Sequence, residues 1–204
     1  MKIICIGRNY VAHTKELGNE IPEEPVIFMK PDSALLRNNE PFYIPDWSND
    51  VHYELELVVR INRLGKFIER KFANRYYSAI GLGIDFTARD VQNRLKDKGL
   101  PWEKSKAFDR SAVISSEFVQ MDELPDPASI KFQLELNGQT VQSGDSALLI
   151  FPIDELIAQV SKYFTLKIGD LIYTGTPAGV GPVKIGDHLE GFLEGRKMFS
   201  FEVK

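Results

Sequence analysis

Short apolar runs, several alternating with polar residues at a period of two, recur along the chain between Gly, Pro and Asn punctuation. The runs Lys2–Ile6, Val26–Lys30, His52–Ile61, Lys131–Leu136, Leu171–Thr174, His188–Leu193 and Met198–Val203 read as β-strands. A period nearer 3.6 predicts helices over Tyr10–Leu17, ended by Gly18, over Ala73–Ala79, over Ala88–Lys98, ended by Gly99, and over Ile153–Tyr163. Asn137-Gly138 tolerates the positive φ angles of a type I′ turn and predicts a hairpin between Phe132–Leu136 and Thr140–Gln142. The one internal echo is Lys-Ile-Gly-Asp, at Lys167–Asp170 and Lys184–Asp187, a repeated turn too short for a repeat architecture. The fold class this predicts is α+β, a mixed β-roll or barrel-like sheet with a few flanking helices.

Composition narrows the picture. A chain of 204 residues, 43% of them hydrophobic, can bury a full core as one catalytic domain spanning 1–204. With a formal charge of -4 and both signs interspersed, it has no basic stripe for a phosphate backbone, so nucleic acid is not an expected partner. Cys5 is the only cysteine, which excludes a disulfide framework and a thiolate-rich metal site. The apolar stretch at Met1–Gly7 is too short for a secretory segment and no run reaches membrane-span length, so the expectation is a cytoplasmic protein without a membrane partner.

Candidate chemistry begins in Val51–Asn62, where Glu54 and Glu56 share one strand face and Tyr53, Leu55, Leu57, Val59 and Ile61 take the other. Alternation places the two carboxylates about 7 Å apart at the backbone, close enough to converge on one cation. Asp85 closes an apolar, Gly-rich segment, Ser78–Asp85, where a buried charge is costly unless paired or metal-bound. Taken singly, these acids fit a solvated edge strand and a helix start better; their conjunction points to a metal. Three oxygen donors without Cys or a His cluster favour Mg²⁺, with Mn²⁺ or Ca²⁺ as competitors.

His13 and Glu16 stand at i and i+3 on the first helix, where the carboxylate can orient the imidazole as a base. On spacing alone, an exposed helix with a favourably placed His and Glu outweighs the dyad. His52 and His188 read as local hydrogen-bonding or surface residues. Arg89 and Gln92, also three apart, and Lys106 could hold a carboxylate, while Gly175–Gly181 offers backbone N–H groups to a ligand oxygen. That loop lacks the Lys-Ser/Thr ending of a phosphate-binding loop, so no nucleotide cofactor is expected.

In this order, Gly7-Arg-Asn-Tyr10 with His13 and Glu16, Pro25–Pro31, Glu54–Leu57, Asp85–Gln92, Gly99–Trp102, Lys106 and Thr174–Gly181 resemble the fumarylacetoacetate hydrolase family, especially its small acylpyruvase-like members. The resemblance implies a mixed β-roll, a homodimer, and Mg²⁺ or Mn²⁺ held by Glu54, Glu56 and Asp85. It places His13 and Glu16 on a mobile lid, brings Arg89, Gln92, Lys106 and Thr176 to a substrate's pyruvate-like end, and adds Arg8 as a substrate-binding residue. The expected reaction is metal-dependent hydrolysis of a C–C bond in a 2,4-diketo acid of the acylpyruvate or fumarylpyruvate type. It would give pyruvate and a carboxylic acid through a stabilised enolate, with His13, Glu16 and Lys106 catalytic. The same platform serves oxaloacetate decarboxylation, keto–enol tautomerisation and isomerisation of 2-hydroxyhepta-2,4-diene-1,7-dioate. A metal-stabilised binding protein without turnover is the alternative from another class. After Phe108-Asp109 the chain reads Arg-Ser-Ala-Val-Ile-Ser115 where the larger hydrolases carry a Pro-Gly-Pro-like segment, and the end of the pocket distal to the pyruvate group is where that departure bears.

Overall fold

The computed structural model describes residues 1–204. Its largest sheet runs in the order β2 (Val26–Lys30), β1 (Ile3–Gly7), β12 (Leu171–Tyr173), β5 (Leu55–Ile61), β6 (Tyr77–Asp85), β8 (Ala112–Ile114) and β3 (Leu35–Leu36), with β9 (Val119–Gln120) on the far part of β6. A second sheet orders β11 (Gln139–Asp145), β10 (Lys131–Leu136), β14 (His188–Leu193) and β15 (Arg196–Glu202). A small third one joins β13 (Gly181–Pro182), β4 (Val51–Tyr53) and β7 (Thr87–Ala88). Parallel pairs, β1 with β12 and β3 with β8, sit among antiparallel ones, which makes the large sheet mixed. Four helices flank it: α1 (Val11–Glu16), α2 (Arg89–Asp97), α3 (Glu103–Lys106) and α4 (Ile153–Tyr163).

The core lies where β10, β14 and β15 pack across β5 and β6. Leu55, Leu57, Val59 and Ile61 enter it, as the alternation requires. Val58, on the glutamate face, is equally buried, beside Ile3, Cys5, Leu171 and Tyr173. The strand carrying the acids is therefore interior, which excludes the solvated edge, and Glu54 sits at the break between β4 and β5. In α4, Ile153, Leu156, Ile157 and Val160 recur at helical spacing and are buried, with Asp154 and Glu155 in the first turn.

The helix expected over Ala73–Ala79 does not form. A 3₁₀ turn spans Arg70–Arg75 and the chain then extends as β6. The reason lies in the following residues: Ile80, Leu82 and Ile84 alternate into the core, while Gly81 and Gly83 face Phe118, Tyr173 and the Val113 carbonyl. A Cβ on Gly83 would lie 2.3 Å from that oxygen, so only glycine lets β6 approach β8. The Asn137-Gly138 hairpin does form, with φ of 52° and 79°. The two Lys-Ile-Gly-Asp turns share one construction: Asp170 and Asp187 accept from the backbone N–H of Lys167 and Lys184 at 2.8 and 2.7 Å. No helix is long and apolar enough to cross a membrane.

Candidate metal centre and active site

Antiparallel pairing of β5 with β6 sets Glu56 opposite Gly83 and lets the Asp85 N–H donate to the Glu54 carbonyl at 2.8 Å. Glu54, Glu56 and Asp85 consequently turn their carboxylates to one point, with ligand oxygens all within 4.8 Å of one another and all three residues buried. Strand geometry alone, two acids at i and i+2 and a third across the ladder, brings them together.

Three cations offset two of the acids, Glu54 and Asp85. Lys106 Nζ donates to Glu54 Oε2 and Asp85 Oδ2, both at 2.7 Å, and to Thr87 Oγ1 at 2.6 Å. Arg89 Nη2 pairs with Glu54 Oε1 and Nη1 donates to Gln92 Oε1 at 2.7 Å. Lys30 Nζ lies 2.7 Å from Asp85 Oδ1 and donates to the carbonyls of Ser111 and Lys106. Lys30 is a member of the site without an expected role: Val26, Phe28 and Lys30 share a strand face, and a lysine ending that apolar run is the signal for it.

The acids differ in charge. Burial alone would raise the Glu54 carboxyl, but the Lys106 ammonium and the Arg89 guanidinium outweigh it and hold Glu54 well below the usual carboxylate range. Burial and the Asp85 charge push the Glu56 carboxyl well above that range, against a 2.7 Å hydrogen bond from the Gly175 N–H. The Lys106 ammonium loses water on burial, yet Asp85 and Glu54 more than restore its charged form.

The acids enclose, with their neighbours, a cavity of about 40 Å³, room for a few water-sized ligands. Arg8, His13, Arg89, Gln92, Lys106 and Thr176 line it with the three acids. Glu16 stands behind His13, its Oε2 3.3 Å from Nδ1, and accepts from the Gly179 N–H at 3.0 Å, linking α1 to the Gly175–Gly181 loop. Thr176 is placed by Gln142, whose Nε2 donates to Thr176 Oγ1 and the Pro177 carbonyl while Oε1 accepts from the Leu55 N–H, each at 2.9 Å. Gln142 was not among the expected residues: it belongs to β11, remote in sequence from every motif. His52 and His188 stay outside the cavity, hydrogen-bonded to Asp50 and Ser200.

The donor set fits a divalent cation. All three ligands are hard carboxylate oxygens, and Asp85 Oδ1 is buried with Lys30 near but no donor in hydrogen-bonding direction. Residues 2–203 match the fumarylacetoacetate (FAA) hydrolase C-terminal family, and the chain belongs to it. It is 40% identical over 202 residues to the mitochondrial oxaloacetate tautomerase FAHD1 of Bos taurus, covering 99% of this chain and 91% of that one. It is 44% identical over 195 residues to the mitochondrial oxaloacetate decarboxylase of Dictyostelium discoideum, covering 95% and 89%. The crystal structure of fumarylpyruvate hydrolase from Pseudomonas aeruginosa in complex with Mn²⁺ and pyruvate superposes with a TM-score of 0.93 at 35% identity, covering 100% of this chain and 89% of that one. Its relatives are enzymes, and both the fold class and the family resemblance read from the motifs hold.

Proposed function

We propose that the chain is a divalent-metal-dependent enzyme that splits a 2,4-diketo acid of the acylpyruvate or fumarylpyruvate type into pyruvate and a carboxylic acid. One observation carries this reading: His13, backed by Glu16, sits on the wall of the same cavity as the three carboxylates. A structural ion site needs no imidazole with an orienting carboxylate beside it. Glu54, Glu56 and Asp85 would hold Mg²⁺ or Mn²⁺, which supplies positive charge beside the keto acid's oxygens and lowers the cost of negative charge there.

Donation of Nδ1–H to Glu16 leaves Nε2 of His13 as the basic nitrogen. It takes a proton from water as the oxygen adds to the C4 carbonyl. The C3–C4 bond then breaks, its electron pair stays with the pyruvate fragment, and the proton held by His13 returns to C3. Arg89, with Nε buried and lacking an acceptor, Gln92 and Thr176 suit the 1-carboxylate and 2-keto oxygens. Lys106 supports the charge that develops on the pyruvate end.

A second reading, keto–enol tautomerisation or decarboxylation of oxaloacetate, is supported by the names of the Bos taurus and Dictyostelium relatives. It uses the same base and the same carboxylate seat on a shorter acid. Incubating the protein with Mg²⁺ or Mn²⁺ and either acetylpyruvate, fumarylpyruvate or oxaloacetate, with product analysis, separates them. Pyruvate plus acetate or fumarate, lost in His13→Ala with metal binding intact, is the expected result. Enol–keto interchange or CO₂ release from oxaloacetate alone selects the second reading, and no turnover of any keto acid overturns both.

A further inference from the structure

Lys106 and Arg89, which line the cavity, and Lys30, which does not, are matched to Glu54 and Asp85, but two other cations are not. Arg8 and Lys96 line the same cavity, and neither forms an ion pair. Lys96 lies four residues beyond Gln92, so Arg89, Gln92 and Lys96 form one stripe of α2 facing the ligand space. Its Nζ donates to Asn19 Oδ1 at 3.3 Å, which ties it to the segment following α1. Arg8 comes from the connection between β1 and α1, held at a φ of 59° that non-glycine residues seldom adopt. Partial burial, then the charges of Arg8 and Arg89, hold the Lys96 ammonium below its ordinary value against the pull of Asp97. Like charges converge there without an anion between them.

We propose that Arg8 and Lys96 form a subsite for a second, distal carboxylate, so that the chain selects dianionic keto acids over monoanionic ones of the same size. This rests on the reading that the pyruvate-like end sits beside Glu54, Glu56 and Asp85. The three matched cations balance the three acids once Glu56 is ionised on the metal, so a bound divalent ion would leave the cavity positive, and a monocarboxylate answers only one of those charges. An apolar acyl tail would strip water from Arg8 and Lys96 and return nothing; a carboxylate would accept from both.

Oxaloacetate and acetylpyruvate form a near-isosteric test pair, since a carboxylate oxygen in one replaces the terminal methyl of the other. Trp102 lines the cavity, so stopped-flow quenching of tryptophan fluorescence in the Mg²⁺-loaded protein reads binding before turnover. The expected result is about tenfold tighter binding of oxaloacetate, the scale of one charge-assisted contact. Lys96→Gln, which leaves Arg8 in place, should narrow the difference by weakening oxaloacetate binding, and Lys96→Glu should reverse the preference. Lys96 is exposed, so neither change endangers the fold. Equal binding in the unsubstituted protein, or a preference undiminished in Lys96→Gln, overturns the subsite and leaves the keto-acid reading standing. Binding of neither acid overturns both.

Discussion

Glu56 combines full burial, a like charge at Asp85 and a single backbone donor at Gly175, and those conditions together favour its neutral form. The consequence for stability has a definite sign. In the unfolded chain Glu56 ionises at the ordinary carboxylate value, whereas the folded, ion-free protein keeps it protonated to higher pH. The folded state then binds more protons, so stability falls as pH rises above the ordinary carboxylate range and levels off once folded Glu56 ionises. Thermal unfolding in chelator should show this decline, and Glu56→Gln should flatten it; an unchanged slope would exclude Glu56 as its source. Glu54, Glu56 and Asp85 were readable from sequence because alternation and the cost of buried charge both act over a few residues. Lys30 and Gln142 were not, because their importance arises from contacts 55 and 87 residues away, with Asp85 and with Leu55 respectively.

Among the elements, β6 decides whether the site exists, since it sets Asp85 across from Glu54. Its register depends on Gly83 lying flat against the Val113 carbonyl of β8 and the Tyr173 ring of β12. Gly83→Ala should cost about 2 kcal/mol, the scale of overpacking in a filled core, and should weaken metal binding by shifting Asp85. Chemical denaturation together with a metal titration checks both, and a variant as stable as the parent would show that β6 can yield. The same glycines hid the strand. Gly81 and Gly83 remove the side chains that would make alternation plain, and Ala73–Ala79 carries enough helix formers to mask the start of β6. Helix α4 and the Asn137-Gly138 hairpin were legible because each signal is complete within its own segment.

Over the whole molecule, the cavity is closed by pieces distant in sequence: α1 through His13, α2 through Arg89, and the Gly175–Gly181 loop through Thr176. Glu16 joins the first to the last through the Gly179 N–H, so the carboxylate that orients the base also ties α1 to that loop. A homodimer is a proposal at this scale, resting on the family resemblance. The claim on which the chemistry depends is that Glu54, Glu56 and Asp85 take one divalent ion together. Calorimetric titration of Mn²⁺ into the chelator-treated protein tests it most directly. One ion per chain, with binding lost in Glu56→Gln while the fold persists by circular dichroism, is the predicted result; no binding to the parent chain, or stoichiometric binding retained by Glu56→Gln, would contradict it.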